Sequence, residues 1–337
     1  MPGTIIITGA NGSLAVPAIQ SLLKKYPEHT LILTARKEQT LSQYTGNRKV
    51  RTHKLDLADL SAVHAFADTI AADIQAGKIP PLTSIICNAY YWNLRTAVEL
   101  TGDGYEKTFQ VNHIAHAALV LRLLGSFDPV SGGRVVLFSS DAHWPGKNSL
   151  EKYPPTIPDA NGIQDLVKPP ARALEQPDHM GHGFQRYATS KLAIVMWMYA
   201  LNRRLAAHST LNNITAVAVN PGNLADSRAL RVNTPTLLSI MSMLVIRPFL
   251  FLLRRIADPT MRTCAEAAAD IVDLATRVDN GNENQQDRTA GYYTMGHKDV
   301  SAPESLDEPK QELLWGRTTE WAGVGAGVSG RDSALPL

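Results

Sequence analysis

A tyrosine and a lysine stand four positions apart at Tyr187 and Lys191, ahead of a helix-like run from Leu192 to Leu205. On a helix, positions i and i+4 share one face, so the phenol and the ammonium can point into the same cavity. A free tyrosine titrates near pH ~10, and a cation held close to it lowers that pKa. Such a phenol can pass a proton to or from an alcohol or ketone oxygen. Pairs of this kind also occur by chance on helix surfaces, so the rest of the sequence decides.

Apolar, strand-like runs alternate with helix-like segments along most of the 337-residue chain. Buried strands joined by helical crossovers predict an α/β domain, a doubly wound parallel sheet flanked by helices. We assign residues 1–321 to this single domain and expect the Gly-, Ala- and Ser-rich end, Ala322–Leu337, to be a flexible tail. Strands are predicted at Thr4–Thr8, Thr30–Thr34, Val50–Leu55, Ser84–Cys87, Arg134–Ser139 and Thr215–Asn220, with a short seventh at Gly291–Thr294, and helices at Leu14–Tyr26, Leu60–Ala76, Gly104–Leu124, Tyr187–Ala207 and Cys264–Thr276.

The composition argues against several classes of function. The net charge is +2 and no block rich in Lys and Arg occurs, so nothing in the sequence supports nucleic-acid binding. The two cysteines, Cys87 and Cys264, are far apart and lack metal-ligand spacing, which is typical of a reducing, cytoplasmic compartment. Because the first strand begins at Thr4, we expect no signal peptide before it.

A glycine-containing turn joins the first strand to the first helix, with the sequence Thr8-Gly9-Ala10-Asn11-Gly12-Ser13-Leu14. Backbone N–H groups in such a turn can face a pyrophosphate at the helix N-terminus. An ordinary strand-to-helix turn is the alternative, and this segment alone does not exclude it. Contacts to a dinucleotide are expected from Gly9, Asn11, Gly12, Ser13 and Leu14.

Arg36 follows the second strand, where an acid would be needed to bind a ribose 2′-hydroxyl. An arginine suits a 2′-phosphate, so the sequence predicts NADP(H); a solvated arginine is the alternative. Asp56, followed by Leu57, closes the third strand and is predicted either to bind an adenine amino group or to cap the next helix. Asn88 and Ala89 follow the fourth strand, at the carboxyl edge where a parallel sheet meets its ligand.

Taken in order, these motifs resemble the short-chain dehydrogenase/reductase superfamily over residues 4–225. The resemblance implies a Rossmann-type fold in which Tyr187 and Lys191 form the catalytic pair. Ser140 matches the serine that hydrogen-bonds the substrate oxygen, with Ser139 as the neighbour that could be confused with it.

Two further motifs carry the resemblance. Asn112 matches the helix asparagine that holds a proton-relay water beside the lysine. Pro221 and Gly222, after the sixth strand, match the turn beside the nicotinamide, and Leu224 belongs to the same cofactor-binding segment. Within the superfamily, Val111–His116 and Leu313–Trp315 resemble the branch of retinol dehydrogenases and protochlorophyllide reductases. The long insertion before Tyr187 resembles fungal ketoreductases and sterol 3-keto reductases.

Four positions depart from the family pattern. Ser13 and Ala15 stand where the second and third glycines of the turn are usual. Tyr90 replaces the glycine of the usual Asn-Ala-Gly, which here reads Asn88-Ala89-Tyr90. Asp226 stands where a threonine usually follows Pro-Gly. These changes bear on the affinity and pose of the cofactor, because the proton-handling residues are intact.

The segment between Ser140 and Tyr187 is longer than is usual in the family. This insertion, residues 141–186, carries aromatic and Met side chains that would shape a pocket for a bulky apolar substrate, and surface decoration is the alternative. Its histidines lack a metal motif, and no metal site is predicted. The side chains concerned are Trp144, Tyr153, Met180 and Phe184, with His143, His179 and His182.

Residues 227–261 are unusually apolar, above all between Leu237 and Leu253. A transmembrane helix would be too short and is broken by Arg247-Pro248. A membrane-surface or homodimer contact, with Arg254 near lipid headgroups, remains open. We favour the third interpretation, a lid over the active site, and a lid this apolar favours a sterol, retinoid, terpenoid or polyketide-like substrate.

The sequence therefore predicts an NADPH-dependent reductase of a carbonyl on a hydrophobic molecule. Tyr187 would donate the proton, Lys191 would lower the tyrosine pKa and hold the nicotinamide ribose, and Ser140 would bind the carbonyl oxygen. Two alternatives are kept. One is a biosynthetic enzyme that reduces an imine or activated alkene or catalyses a non-redox cyclisation. The other is a redox-inactive, cofactor-binding regulator.

Overall fold

An eight-stranded sheet lies at the centre of the computed structural model, which describes residues 2–276 and 290–324. Its order is β10–β9–β6–β5–β4–β1–β2–β3, and all neighbours pair in parallel except the β9–β10 hairpin. The order reverses between β1 and β4, which opens a crevice at their carboxyl ends. The strands are β1 Thr4–Ile7, β2 Thr30–Ala35, β3 Val50–Lys54, β4 Leu82–Cys87, β5 Gly133–Phe138, β6 Ile214–Asn220, β9 Gly291–Thr294 and β10 His297–Lys298; β7 Asn223–Leu224 pairs separately with β8 Met261–Arg262.

Helices cover both faces of the sheet and bury one apolar cluster on each face. The first and ninth helices pack together on one side, and the second, fourth, sixth and tenth pack on the other. The predicted α/β class and doubly wound sheet are confirmed. The helices are α1 Ala15–Lys25, α2 Leu60–Gln75, α3 Lys107–Phe109, α4 Ala115–Leu123, α5 Ala171–Leu174, α6 His179–Ala207, α7 Thr236–Met241, α8 Leu250–Ile256, α9 Cys264–Thr276 and α10 Glu308–Trp321.

The catalytic helix α6 is longer than predicted. It begins at His179 rather than Tyr187, because Asp178 caps it by accepting a hydrogen bond from the Gly181 N–H at 3.0 Å. A capping carboxylate also begins α2, where Asp59 accepts from the Ala62 N–H at 3.0 Å. Of the two roles predicted for Asp56, capping of the next helix is therefore wrong, because Asp59 caps α2.

The insertion is packed rather than loose. Ile157, Ile163 and Val167 are buried in the same apolar cluster as α6 and α10. Its first turn is fixed by His143, whose Nε2 accepts a hydrogen bond from the Ala302 N–H at 3.0 Å. The insertion thus covers one side of the domain.

The flexible tail was predicted to begin at Ala322, but the packed domain extends beyond that residue. Ala322 is buried, as is Val324, both against the cluster beneath α10. The remainder of the predicted tail, residues 325–337, lies outside the described residues.

The apolar segment forms two short helices, α7 and α8, joined through a π-helical turn at Ser242–Ile246. Within residues 2–276 and 290–324, no single helix is both long and apolar enough to cross a membrane. The pair Thr236–Ile246 and Leu250–Ile256 passes that test together, but it is bent by 94°.

Candidate active site

A cavity of about 880 Å³ opens at the carboxyl ends of the central strands. The glycine turn, the ends of β2 and β3, part of the insertion and the lid segment all contribute to its lining. The predicted catalytic residues Ser140, Tyr187 and Lys191 line its floor. All predicted cofactor contacts also line it: Gly9, Asn11, Gly12, Ser13, Leu14, Arg36, Asp56, Leu57, Asn88, Ala89, Tyr187, Lys191, Pro221, Gly222 and Leu224.

The helix α6 brings the catalytic tyrosine and lysine onto one face, as the spacing predicted. Lys191 is buried, and its Nζ donates to the Phe138 carbonyl at 2.8 Å, at the end of β5. The same Nζ lies 5.5 Å from the centre of the Tyr187 ring. The geometry also separates the two serines. Ser140 lies near the phenol and lines the cavity, and its hydroxyl donates to the Asp141 carboxylate at 2.9 Å. The buried Ser139 instead donates to the Lys191 carbonyl at 3.1 Å and holds the helix.

The pKa of Tyr187 is raised, not lowered as the sequence suggested. Burial is the largest cause, the neighbouring Tyr90 adds to it, and Ser140 opposes it. Lys191 does not reverse the shift, because burial lowers its own pKa to about 7 and its ammonium is directed at a backbone carbonyl. The phenol is therefore protonated at neutral pH, which is the form a proton donor needs.

The side chain of Asn112 is buried beside the catalytic helix. It lies in a π-helical turn at Gln110–Ile114, where its amide donates to the Tyr91 carbonyl at 3.0 Å and to the Ser190 hydroxyl at 2.9 Å. Its side-chain oxygen accepts from the Tyr91 N–H at 2.7 Å, and the residue does not line the cavity. Both amide protons are used within the protein, so the side chain fixes α6 against the segment after β4. The relay water expected beside Lys191 stays a prediction.

A buried histidine, for which no role was predicted, also joins this network. His116 Nε2 is hydrogen-bonded to the Thr8 hydroxyl at 3.0 Å, and its Nδ1 to the Asn112 carbonyl at 3.2 Å. Burial lowers the pKa of His116 to about 4, so the ring is neutral at physiological pH. The spacing of His116 four residues after Asn112 was the available signal. This series of hydrogen bonds, from Thr8 through His116 and Asn112 to Ser190, links the glycine turn to the catalytic helix.

The glycine turn has the shape of a nucleotide cradle. Gly9 has φ +63°, and a Cβ there would lie 2.9 Å from the Ala89 Cα. Asn88 holds the turn by donating to the Thr8 and Gly9 carbonyls at 2.9 and 3.1 Å. The N–H groups of Ser13 and Leu14, just before α1, make no hydrogen bond within the described part of the chain. Free amides at a helix N-terminus fit a pyrophosphate, so these residues fit a dinucleotide.

A family model described as short chain dehydrogenase matches residues 3–154, and one described as the AcuH dehydrogenase domain matches residues 228–331. The chain belongs to the short-chain dehydrogenase/reductase family. Members of this family are oxidoreductases that use a nicotinamide dinucleotide, which agrees with the cradle described above.

Several curated members of the family are similar over most of the chain. The short-chain dehydrogenase iccH of Talaromyces variabilis is 29% identical and covers 93% of each protein. Mouse retinol dehydrogenase 13 is 25% identical over 100% of this chain and 89% of that protein. Chicken WW domain-containing oxidoreductase is 32% identical over 65% of this chain, which spans 48% of that protein. The predicted likeness to retinol dehydrogenases and fungal members of the family is confirmed.

Solved structures agree on the fold. The NADPH-bound carbonyl reductase from chicken fatty liver superposes with a TM-score of 0.57 at 16% identity, covering 89% of this chain and 100% of that one. A protein from Mycobacterium paratuberculosis superposes with a TM-score of 0.61 at 21% identity, covering 96% of each chain. The predicted Rossmann-type architecture is confirmed.

One basic and one acidic side chain at the nucleotide end of this short-chain dehydrogenase/reductase can reach a bound ligand. Arg36 is exposed at the cavity wall and forms no ion pair with a described carboxylate. Asp56 accepts from the Ala58 N–H at 3.0 Å, which orients its carboxylate at the wall of the cavity.

The substrate end of the enzyme is lined by fewer insertion residues than predicted. Phe184 and Leu150 line the cavity, whereas Trp144, Tyr153 and Met180 do not. Tyr153 instead stacks on His182, with ring centroids 4.2 Å apart. No group of three His, Cys, Asp or Glu side chains arranged to hold a metal occurs within the described ranges.

Proposed function

We propose that this enzyme reduces a carbonyl on a bulky, apolar molecule with NADPH. The observation that carries the proposal is one cavity lined together by the dinucleotide cradle, the protonated phenol of Tyr187 and apolar side chains of the insertion and the lid segment. Both halves are needed for a redox step between two bound molecules, because the reacting atoms must be held together.

Tyr187 and Ser140 handle the substrate oxygen. A nicotinamide cofactor supplies hydride to the carbonyl carbon when it is bound. As charge develops on the oxygen, Ser140 donates a hydrogen bond and Tyr187 gives up its proton, so that the product is an alcohol. The phenolate left behind is stabilised by the nearby Lys191 ammonium, 5.5 Å from the ring centre, once that lysine is protonated.

NADPH is proposed over NADH because of Arg36. Its guanidinium stands at the end of β2, at the cavity wall and without a carboxylate partner among the described residues. A planar guanidinium matches the geometry and charge of a 2′-phosphate.

The apolar lining favours a water-poor substrate. Leu238, Met241 and Ile246 of the lid face the cavity, opposite Phe184 of α6. Burial of apolar area contributes roughly 25 cal/mol per Å², so a sterol, retinoid, terpenoid or polyketide-like ketone gains most from such a wall. An activated alkene or imine is the second candidate, since the same proton donor serves both.

Oxidation of NADPH against a panel of hydrophobic ketones tests the proposal. We expect loss of the reduced-nicotinamide absorbance with at least one bulky ketone and no comparable rate with small, water-soluble ones. Tight NADPH binding without turnover of ketones, alkenes or imines would favour the redox-inactive regulator and overturn the proposal.

We also propose that the outer face of the lid contacts an anionic lipid surface. Ten of the seventeen large apolar side chains that are exposed in the described residues lie between Leu237 and Ile256. Residues 229–256 carry four arginines and no acid. Arg254 pairs with Glu266 at 2.9 Å and Arg247 donates to the Asp226 carbonyl, whereas Arg231 and Arg255 form no ion pair with a described carboxylate. Exposed apolar side chains with unpaired cations on the same segment suit acyl chains and anionic lipid headgroups.

Flotation with vesicles tests the lipid contact. Wild-type protein should float with vesicles rich in phosphatidylserine and less with phosphatidylcholine alone. Phe251→Asp removes an apolar side chain that is 84% exposed and should release the protein without loss of ketone reduction. Failure to float, with a dimer in sedimentation that Phe251→Asp converts to a monomer, would assign this face to a second copy of the chain.

A further inference from the structure

Three departures from the family pattern meet at one short segment at the base of the lid, residues 226–228: Ser13 and Tyr90 lie against it, and Asp226 belongs to it. The Ser13 hydroxyl accepts a hydrogen bond from the Arg228 backbone N–H at 3.1 Å, across 215 positions of sequence. Tyr90 lies near Ser227, and both residues line the cavity. Asp226 accepts from the Cys264 N–H at 2.7 Å and so fixes the segment to α9. The unusual residues are therefore anchors of the lid.

Arg228 lies at the glycine turn itself. Its guanidinium donates to the Asn11 carbonyl and lines the cavity. It pairs with no carboxylate of residues 2–276 or 290–324. The amides of Ser13 and Leu14, unbonded within the same residues, lie on that turn. Two free N–H groups and an unneutralised guanidinium together form a site for a phosphate.

The segment that follows Arg228 is held to the wall of the cavity next to the catalytic tyrosine. Trp92 packs on Tyr187, with ring centroids 5.3 Å apart, and its indole N–H donates to the Val232 carbonyl at 3.1 Å. Asn233 donates back to the Trp92 carbonyl at 3.2 Å. The base of the lid thus contacts both the glycine turn and the surroundings of the proton donor.

We propose that Arg228 binds the pyrophosphate of the nicotinamide cofactor from the lid, with Ser13 and Tyr90 as positioning residues. Cofactor binding then orders residues 227–256 before the apolar substrate is enclosed. This inference rests on the proposed function, in that it takes the ligand to be a nicotinamide dinucleotide. It differs from the role of Arg36, because the pyrophosphate is common to NADPH and NADH.

The first experiment compares Arg228→Ala with Arg231→Ala. Arg231 lies on the same turn and is exposed, but it does not line the cavity. Titration followed by reduced-nicotinamide fluorescence should show that Arg228→Ala weakens NADPH and NADH alike, by about 10- to 100-fold. Arg231→Ala should leave both dissociation constants unchanged.

Hydrogen–deuterium exchange on the same proteins measures the lid directly. In the wild type, NADPH should slow exchange of amides in residues 227–256, and saturating NADPH should not slow it in Arg228→Ala. Ser13→Gly restores the family glycine and removes the anchor. It should lose most of the lid protection and retain NADPH affinity to within about tenfold of the wild type.

The outcomes separate this inference from the proposed function. If the wild type binds neither dinucleotide, both fail. If it binds them and Arg228→Ala behaves as Arg231→Ala does, only the role of Arg228 is overturned. Tighter NADPH binding in Ser13→Gly with the lid still protected would show that Ser13 merely crowds the turn, and would also overturn the coupling.

Discussion

The two sides of the cavity are held in opposite ways. On the catalytic side, Lys191, Ser139 and His116 are buried, and each is hydrogen-bonded to another element. On the lid side, Ser242 is the one buried residue of the described stretch 236–256. Chemistry needs atoms fixed to a fraction of an ångström, whereas a wall that accepts varied apolar molecules needs freedom to adjust. Under the proposed function, the buried side sets the reaction type and the exposed side selects the substrate, and the following predictions test that division.

The largest effect should come from the fixed side. Tyr187→Phe keeps the ring that packs on Trp92 but removes the proton, so turnover should fall by roughly 10²- to 10⁴-fold. Single-turnover reduction of the best ketone measures the loss, and NADPH titration serves as the control, with affinity expected to stay near the wild-type value. Near-normal turnover would show that another group donates the proton.

A smaller effect is expected at the cofactor end. Arg36→Ala removes a charge-assisted hydrogen bond worth roughly 1.5–3 kcal/mol, so NADPH should bind about 10- to 100-fold more weakly. NADH should be affected much less, because it lacks the 2′-phosphate. Lys37→Ala, at the next exposed position, is the matched control. Equal losses for NADPH and NADH would remove Arg36 from phosphate recognition.

The pH dependence should follow the lysine. The pKa of Lys191 is lowered to about 7, so its ammonium is present below that pH and lost above it. The raised pKa of Tyr187 keeps the phenol protonated over the same range. The value of kcat/KM for NADPH should therefore decline by up to about tenfold per pH unit above pH 7. Lys191→Arg, which keeps its charge, should remove the decline; a flat wild-type profile up to pH 9 would contradict this role.

The smallest effect should come from the adjustable side. Leu238 faces the cavity, whereas Leu244 on the same segment is 65% exposed and does not line it. Leu238→Ala removes partly buried methyl groups and should raise KM for a bulky ketone by about three- to tenfold. Leu244→Ala should leave KM unchanged. Steady-state kinetics with one ketone compares them, and equal KM values would mean that the lid does not contact the substrate.

The sequence predicted the catalytic side well because its signals are local. Tyr187 and Lys191 are one helical turn apart, and Arg36, Asp56 and Asn88 each follow a strand whose carboxyl end must reach the same crevice. These predictions depend only on where strands end and which residues share a helix face. They therefore hold although α6 begins eight residues earlier than predicted.

The features that the sequence did not reveal have long-range causes. The direction of the Asn112 side chain depends on a π-helical turn, which no motif announces. Arg228 reaches Asn11 across 217 positions, and His143 reaches Ala302 across 159. Contacts of this kind depend on how distant segments pack, which local sequence patterns do not reveal. The pKa of Tyr187 is raised mainly because the side chain is buried, and the degree of burial cannot be read from the sequence.

The length of α6 has a consequence for how such an enzyme can diversify. The helix runs for 29 residues, about 43 Å, and Tyr187 lies in its interior rather than at its start. The two turns ahead of Tyr187 therefore belong to the substrate side, whereas those behind it belong to the buried core. Insertions, deletions or exchanges upstream of His179 can reshape the pocket without shifting the tyrosine relative to Lys191. A lineage carrying this helix can change its substrates by altering loops while inheriting its chemistry unchanged.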